Sequence, residues 1–301
     1  MNKKHMGLMV LICGLVAFAI ASFAVWLYAN YEFGQQDYYY EGSEAFIAGD
    51  ANLDASNLKS IEIDWLNGDV EIVAYDGTEI QIFESNSPSK NEDKLHYHLN
   101  KSGYLQVKYF SSRQNAGIYH KVENKKLTIK VPQSINLKDL QITVTTGNAS
   151  FENISIEDKL YITVITGNVD LNNCKVNRLF CDVTTGNISD NNSSVQQLEV
   201  GVVTGDMSLA GNYVNVDGGV TTGNITLASV DATKVKLTVT TGNMFVDLNE
   251  DDNFTVRYLV ETGKIDFGTF AVQTLGASHV QYGDGTMEMI LTVRTGNIQF
   301  K

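Results

Sequence analysis

From about residue 58 onward, apolar residues fall on alternate positions, and from residue 140 one short phrase interrupts the alternation at near-regular intervals. In Leu140-Gln-Ile142-Thr-Val144-Thr-Thr146-Gly147-Asn148-Ala149-Ser-Phe151, three apolar residues on alternate positions precede Thr-Gly-Asn and two more follow it. The glycine returns at Gly167, Gly186, Gly205, Gly223, Gly242, Gly263 and Gly296, in steps of 20, 19, 19, 18, 19 and 21 residues and a last step of 33. Counted back from each glycine, positions −7, −5 and −3 are Leu160, Ile162 and Val164 in the second copy, Leu179, Cys181 and Val183 in the third, and Leu198, Val200 and Val202 in the fourth. A period of two turns one face of a strand into a core. A fixed step near nineteen residues marks a stacked repeat. It is too short for a strand-helix-strand unit, so each copy is expected to form one coil of short strands and corners. The fold class is therefore all-β, a parallel β-solenoid.

The inward pattern changes phase between position −3 and position +2, so the chain must bend at Thr-Gly-Asn. Glycine permits the positive φ such a corner needs, and asparagine tolerates the left-handed region better than other residues. The expected structural corners are Gly147 and Asn148, Gly167 and Asn168, Gly186 and Asn187, Gly205 and Asp206, Gly223 and Asn224, Gly242 and Asn243, Gly263, and Gly296 with Asn297. The asparagine column, with Asp206 in register, is expected to bond the coils above and below it. Stacked about 4.8 Å apart, eight coils would extend roughly 35–40 Å.

Ahead of these copies, Ile61-Glu-Ile63-Asp-Trp65-Leu-Asn67-Gly68-Asp69-Val70-Glu-Ile72 carries the same pattern and is a ninth, divergent copy, 79 residues before the first. The alternating runs between them, Glu79–Phe83, Leu95–Leu99, Tyr104–Tyr109 and Lys126–Val131, are punctuated by Asp76-Gly77, Ser87-Pro88 and Ser102-Gly103. They predict an antiparallel β segment over residues 58–135 that covers the first coil, leaving 136–301 to the repeats. At the other end, Gly283-Asp284-Gly285 within the 33-residue step predicts a hairpin.

Residues 7–28 carry no charge and are mostly Leu, Val, Ile, Ala and Phe. At about 1.5 Å per residue they span about 33 Å, the hydrocarbon thickness of a bilayer. Lys3 and Lys4 precede the run and Trp26, Tyr28 and Tyr31 end it. The positive-inside rule then makes residues 1–6 a cytoplasmic stub, 7–28 a transmembrane helix in membrane lipid, 29–57 a spacer and 58–301 an exported domain. The competing reading is a cleaved signal peptide, with small residues at Ala19-Ile-Ala21. The apolar run outlasts the usual h-region, which favours the anchor.

The opening Ile-x-Ile…Gly-Asp-Val-x-Ile, then Leu127-Thr-Ile-Lys-Val-Pro132 before the first Thr-Gly-Asn, then serial Thr-Gly-Asn coils and a Gly-Asp-Gly before a final Thr-Gly-Asn-Ile, follow one another in a set order. In that order the chain resembles the bacterial putative-adhesin domain family, over about residues 58–301. The resemblance implies an exported, β-solenoid-like domain, frequently on a membrane anchor, and supplies no catalytic residues. Lys264 in place of asparagine and Asp190 at an inward position depart from the pattern.

Composition narrows the chemistry. Net charge is −13, from 22 Lys and Arg against 35 Asp and Glu, and no basic patch appears, so nucleic acid is not an expected partner. Asp182, Asp206 and Asp217 lie in successive copies and could approach the roughly 5–10 Å that sugar cleavage needs. No motif, however, sets a base beside a nucleophile. His96 and His98 alternate on one strand without a cysteine or acid at ligand spacing. One Asn per corner does not make a calcium cage, and the threonine ladder that could face ice is broken alongside by Asp182, Gly201 and Gly219. Cys174 and Cys181 are expected as free thiols, Cys181 at an inward position. No catalytic, cofactor or metal site is expected. The favoured function is a non-enzymatic, membrane-anchored cell-surface module that binds an envelope or external protein or glycan. The alternatives are an accessory membrane protein modulating an envelope-stress or signalling system and, ranked lower, a polysaccharide-active enzyme.

Overall fold

The computed structural model describes residues 38–112, 124–228, 232–249 and 251–301. The expected stub 1–6 and helix 7–28 lie outside the described residues, as do the start of the spacer, Arg113 and His120. Among the described residues no helix is long and apolar enough to cross a membrane. The chain divides into a unit of Met1–Ala45 with Ser111–Val122 and a unit of Phe46–Phe110 with Glu123–Lys301. In the first, a short 3-10 turn occupies Ser43–Ala45, the Tyr40 N–H donates to Ser112 Oγ at 3.3 Å, and the Tyr38 and Tyr40 rings meet edge to face.

The second unit is a stack of coils, each with two long sides. The first side, which ends at the corner glycine, is built in spatial order from Ser60–Asn67, Leu137–Thr146, Ser155–Thr166, Lys175–Thr185, the later parts of Ile188–Thr204 and Met207–Thr222, then Lys234–Thr241, Met287–Thr295 and Phe254–Thr262, all parallel. Parallel, in-register pairing places the same position of every copy in one column. Trp65, Val144, Val164, Val183, Val202, Val220, Val239, Val293 and Val260 form such a spine, buried at every level except Val260. The second side stacks Val70–Tyr75, Ala149–Glu152 and Val169–Asn172 in the same way, and runs on to Ile298–Phe300 and Ile265–Asp266.

Unequal steps leave the columns intact because each odd residue is absorbed away from the corner. The 20-residue step carries one extra residue between Ile156 and Lys159, opposite Val176 and Arg178. The 18-residue step lacks one between Ala210 and Asn212, opposite Asn191 and Ser194.

Two expectations need correction. The copy at Gly68 is stacked directly on the copy at Gly147, so the parallel stack starts at residue 60 rather than 136. The 79-residue excursion also adds two further parallel strands, Tyr104–Lys108 against Ser60–Asn67 and Lys126–Pro132 against Val70–Tyr75. Only outside these do His96–Leu99, Glu79–Ser85, Ile47–Ala48 and Ala51–Asp54 pair antiparallel. Parallel register continues the apolar columns, pairing Ile61 with Leu105 and Ile72 with Ile129; reversed strands then end the stack.

At the far end the spatial order departs from the sequence order. The Gly296 copy lies between the Gly242 and Gly263 copies, so the Gly263 copy is the outermost coil. Gly283-Asp284-Gly285 accordingly makes no hairpin: Phe254–Thr262 sits between His279–Tyr282 on one side and Met287–Thr295 on the other. The hairpin lies slightly earlier, between Gln273–Gly276 and His279–Tyr282, turning at Ser278 with φ +81°. Phe254 packs against Phe270, Tyr282 and Phe300 at 5.3–5.4 Å between ring centres, filling the end of the core.

Candidate functional site

Each corner glycine from Gly147 to Gly296 has φ between +139° and +146°. A side chain would not fit there even if the backbone allowed it, since a Cβ on Gly186 would lie 1.8 Å from the Gly167 carbonyl oxygen. The Gly186 N–H donates to Thr204 O at 3.0 Å, and the same bond recurs along the column. Beside it, Asn168 donates both its backbone N–H (2.9 Å) and Nδ2 (3.1 Å) to Asn148 Oδ1, and Asn187 does the same to Asn168. Asparagine suits an interior rung because its amide both gives and accepts. The ladder starts at Asp69, whose Oδ1 accepts from Asn148, and finishes at Lys264, which gives only its backbone N–H to Asn297. Asp206 accepts two bonds from Asn224 and returns one N–H to Asn187. These residues hold the coils together.

A second corner escaped sequence reasoning. Asn153, Asn173 and Asn192 take φ of +57°, +51° and +61°, and Asn192 Nδ2 reaches Asn173 Oδ1 at 2.6 Å. Their signal is three asparagines in register on the far side of the coil.

Two polar groups lie in the interior. Asp190 is buried and accepts the Tyr213 hydroxyl at 2.5 Å, beside Ser193 Oγ, which accepts the Cys174 N–H at 3.1 Å. Burial raises the Asp190 carboxyl above the usual range. In the N-terminal cap, buried Lys125 meets Glu84 Oε1 at 2.7 Å, donates to the Asp93 and Tyr109 carbonyls, and sits 3.8 Å above the Tyr109 ring. Glu84 also accepts from the Leu95 N–H and the Ser87 hydroxyl. Lys125 shares the inward phase of Leu127 and Ile129, and Glu84 that of Ile80 and Ile82, the pattern by which both could have been found.

The most accessible arrangement lies on the outer face of the first side. At position −4, threonine stands in four coils as Thr143, Thr163, Thr238 and Thr292, whereas two consecutive coils carry Gly201 and Gly219. The missing side chains leave a groove of about 410 Å³, bounded by Asp182 at one end and Thr238 at the other, with Val203, Thr221 and Thr240 along one wall. Val203 is 50% exposed. On the same outer face, next to the −4 column, runs the −6 column of Phe180, Glu199, Asp217 and Lys236. Phe180 stacks on Tyr161 of the preceding coil, ring centres 4.6 Å apart and planes within 10°, and Tyr161 is 40% exposed.

The flagged acids are thus divided. Asp182 lines this groove, Asp217 stands in the neighbouring −6 column paired to Lys236 at 2.8 Å, and Asp206 belongs to the corner ladder. Arg178 pairs with Asp158. His96 and His98 share a strand in the N-terminal cap, far along the stack from the groove, and no group of three His, Cys, Asp or Glu comes together among the described residues. Cys174 and Cys181 are free and buried, and burial raises both thiols above their ordinary range.

The sequence profile described as Toastrack DUF4097 matches residues 58–298. The chain belongs to the Toastrack DUF4097 family. The Toastrack chain is similar in fold to a crystal structure described as a putative adhesin from Bacteroides fragilis NCTC 9343, at 13% identity and a TM-score of 0.51, over 85% of this chain and 97% of that one. Two others match at lower scores. A structure described as a putative lipid binding protein from Parabacteroides distasonis ATCC 8503 has 16% identity and a TM-score of 0.48, over 84% of this chain and 96% of that one. One described as a putative cell adhesion protein from Clostridium sporogenes ATCC 15579 has 12% identity and a TM-score of 0.31, over 85% and 97%. At these identities the likeness is one of fold. No curated protein matches the Toastrack sequence.

Proposed function

We propose that this Toastrack domain is a non-enzymatic binding module held at the cell surface by a membrane anchor at residues 7–28, with the N-terminus cytoplasmic and residues 58–301 outside. The observation that carries the reading is the outer strand face, where an aromatic pair and a side-chain-free groove lie on a rigid hydrogen-bonded stack. Binding sites are concave, with a few polar groups at the rim, and this groove has that form. The adhesin description of the Bacteroides fragilis protein of similar fold fits the same reading, and the uncharged run of 22 residues supports the anchor.

Two measurements test it. In intact cells, a protease added outside should cleave the chain beyond residue 58, and the chain should stay with membranes in high salt and be released by detergent. A soluble chain beginning at Ser22 would remove the anchor. The chain should also bind isolated envelopes or an external ligand without altering it. Release of reducing or unsaturated sugar ends from a glycan panel would turn the reading to an enzyme, and cross-linking to a membrane kinase alone would turn it to an accessory signalling role.

A further inference from the structure

We propose that the distal end of the stack binds a second copy of this chain, head to head, about a two-fold axis at the Gly263 corner. The pairing deepens the surface-binding reading and rests on it only for the step from pairing to joining two surfaces. The outermost coil is open over one window. On its first arm, His279–Tyr282 covers Phe254–Arg257 and Ser278 O takes the Tyr258 N–H, so the cover ends before Leu259. On its second arm, Ile265–Asp266 pairs with Ile298–Phe300 alone, and the strand ends at Asp266, whose Oδ1 accepts the Gly268 N–H. The window is therefore 259–266. Leu259 is 51% exposed, and Val260 and Ile265 are half-buried although Val293 and Ile298 beneath them are fully buried.

The backbone at this window lacks the partners that every other corner has. Gly242 and Met244 donate forward to Thr295 O and Asn297 O, and Gly296 and Ile298 donate to Thr262 O and Lys264 O. Gly263 and Ile265 have no coil ahead of them. Because Tyr258 turns its N–H to the outer side, Val260, two residues on, presents both its N–H and its carbonyl there; Ile265 does the same on the other arm. Such an edge recruits a further strand.

The symmetry of the window selects the occupant. Its midpoint falls between Thr262 and Gly263, and the inward positions −3 and +2, Val260 and Ile265, lie equally far from that point. A two-fold axis along the bisector of the corner exchanges the two arms and reverses the direction of stacking. It sets Val260 of one copy against Ile265 of the other, where each N–H meets the opposite carbonyl. Glu261 then faces Lys264, and both contacts occur twice, as an isologous interface requires. Neither Glu261 nor Lys264 forms an ion pair among the described residues. A straight peptide could pair with one arm only, since the window turns a corner. The chain enters each stack at the opposite end, through the cap strands Ile47–Ala48 and Ala51–Asp54. Paired copies thus point their N-terminal ends apart, which on the anchored reading joins two facing membranes.

Sedimentation of the 301-residue chain in mild detergent should show a dimer. Glu261→Lys and Lys264→Glu, each alone, bring like charges together twice and should raise the dissociation constant at least about tenfold. Mixing the two variants should restore pairing as a heterodimer, because each supplies the charge the other lacks. Both side chains are exposed, so the reversals leave the coil folded. Phosphatidylcholine vesicles carrying the wild-type chain through its anchor should clump, those carrying either variant should not, and a mixture of the two variant vesicles should. A wild-type chain that stays monomeric up to about 0.1 mM, a dimer indifferent to both reversals, or a mixture no tighter than either variant alone overturns the proposal. Pairing in detergent by a chain that high salt strips from membranes supports the proposal and removes the anchor; retention in membranes without pairing does the reverse.

Discussion

Truncating valines along the apolar spine tests the interleaved order of the last two coils. Val293 is fully buried, with Val239 in the coil on one side and Val260 on the other, each in a strand hydrogen-bonded to its own. Val293→Ala removes two carbons, worth about 0.8 kcal/mol each in transfer. The strands cannot close the gap, so a cavity of roughly 40 Å³ adds about 1 kcal/mol at ~24 cal/mol per Å³. The expected loss is thus about 2.5 kcal/mol, and Val202→Ala, deep in the stack, should match it. Val260 is only half-buried and has a coil on one side alone, so Val260→Ala should cost about 1 kcal/mol. Urea unfolding of residues 38–301, followed by circular dichroism and extrapolated linearly, reads all three. If the coils followed sequence order, Val260 would be the interior residue and Val293 the terminal one. A larger loss at Val260 than at Val293 would refute the arrangement.

Gly186→Val should destabilise by about 4 kcal/mol, since it combines a forbidden φ with a carbonyl oxygen 1.8 Å from the new Cβ. Asn192→Ala, which places alanine at φ +61°, should cost about 1–2 kcal/mol; equal melting shifts would contradict the corner geometry. Lys125→Met leaves Glu84 buried without its cation and should cost about 3–5 kcal/mol, with Lys125→Met/Glu84→Gln recovering much of it; a loss below about 1 kcal/mol would show that the pair is not buried in solution. For Asp190, burial raises the folded carboxyl above its unfolded value, so its contribution to stability is greatest at low pH and is lost as pH rises through the folded value. The stability of the wild type relative to Asp190→Asn should therefore increase from neutral pH toward the ordinary carboxylate range. A difference that stays constant with pH would rule this out.

The solenoid was legible because parallel, in-register stacking repeats each position in a column, so that a local pattern such as Leu160, Ile162 and Val164 already states its neighbours above and below. Spatial order was not legible in the same way. The copies at Gly263 and Gly296 carry the same inward pattern, and nothing within either names the coil it rests on. The departures held the missing information. Lys264 replaces asparagine where the ladder needs only a backbone N–H, and Asp69 stands where it needs only an acceptor; both are the chemistry of an end. Gly201 and Gly219 read as gaps in a threonine column, but their joining into one groove depends on which strands lie side by side.

The placement of Met287–Thr295 also determines how the stack answers to force. A load applied beyond Phe300 does not peel an outer strand. It pulls on a strand flanked by Lys234–Thr241 on one side and Phe254–Thr262 on the other, with Ile298–Phe300 likewise gripped by two neighbours. Both ladders must shear together, so the bonds share the tension instead of parting one at a time. The outermost coil, which would otherwise be the first to yield, lies off the line of pull and stays docked until the strand beneath it has been drawn out.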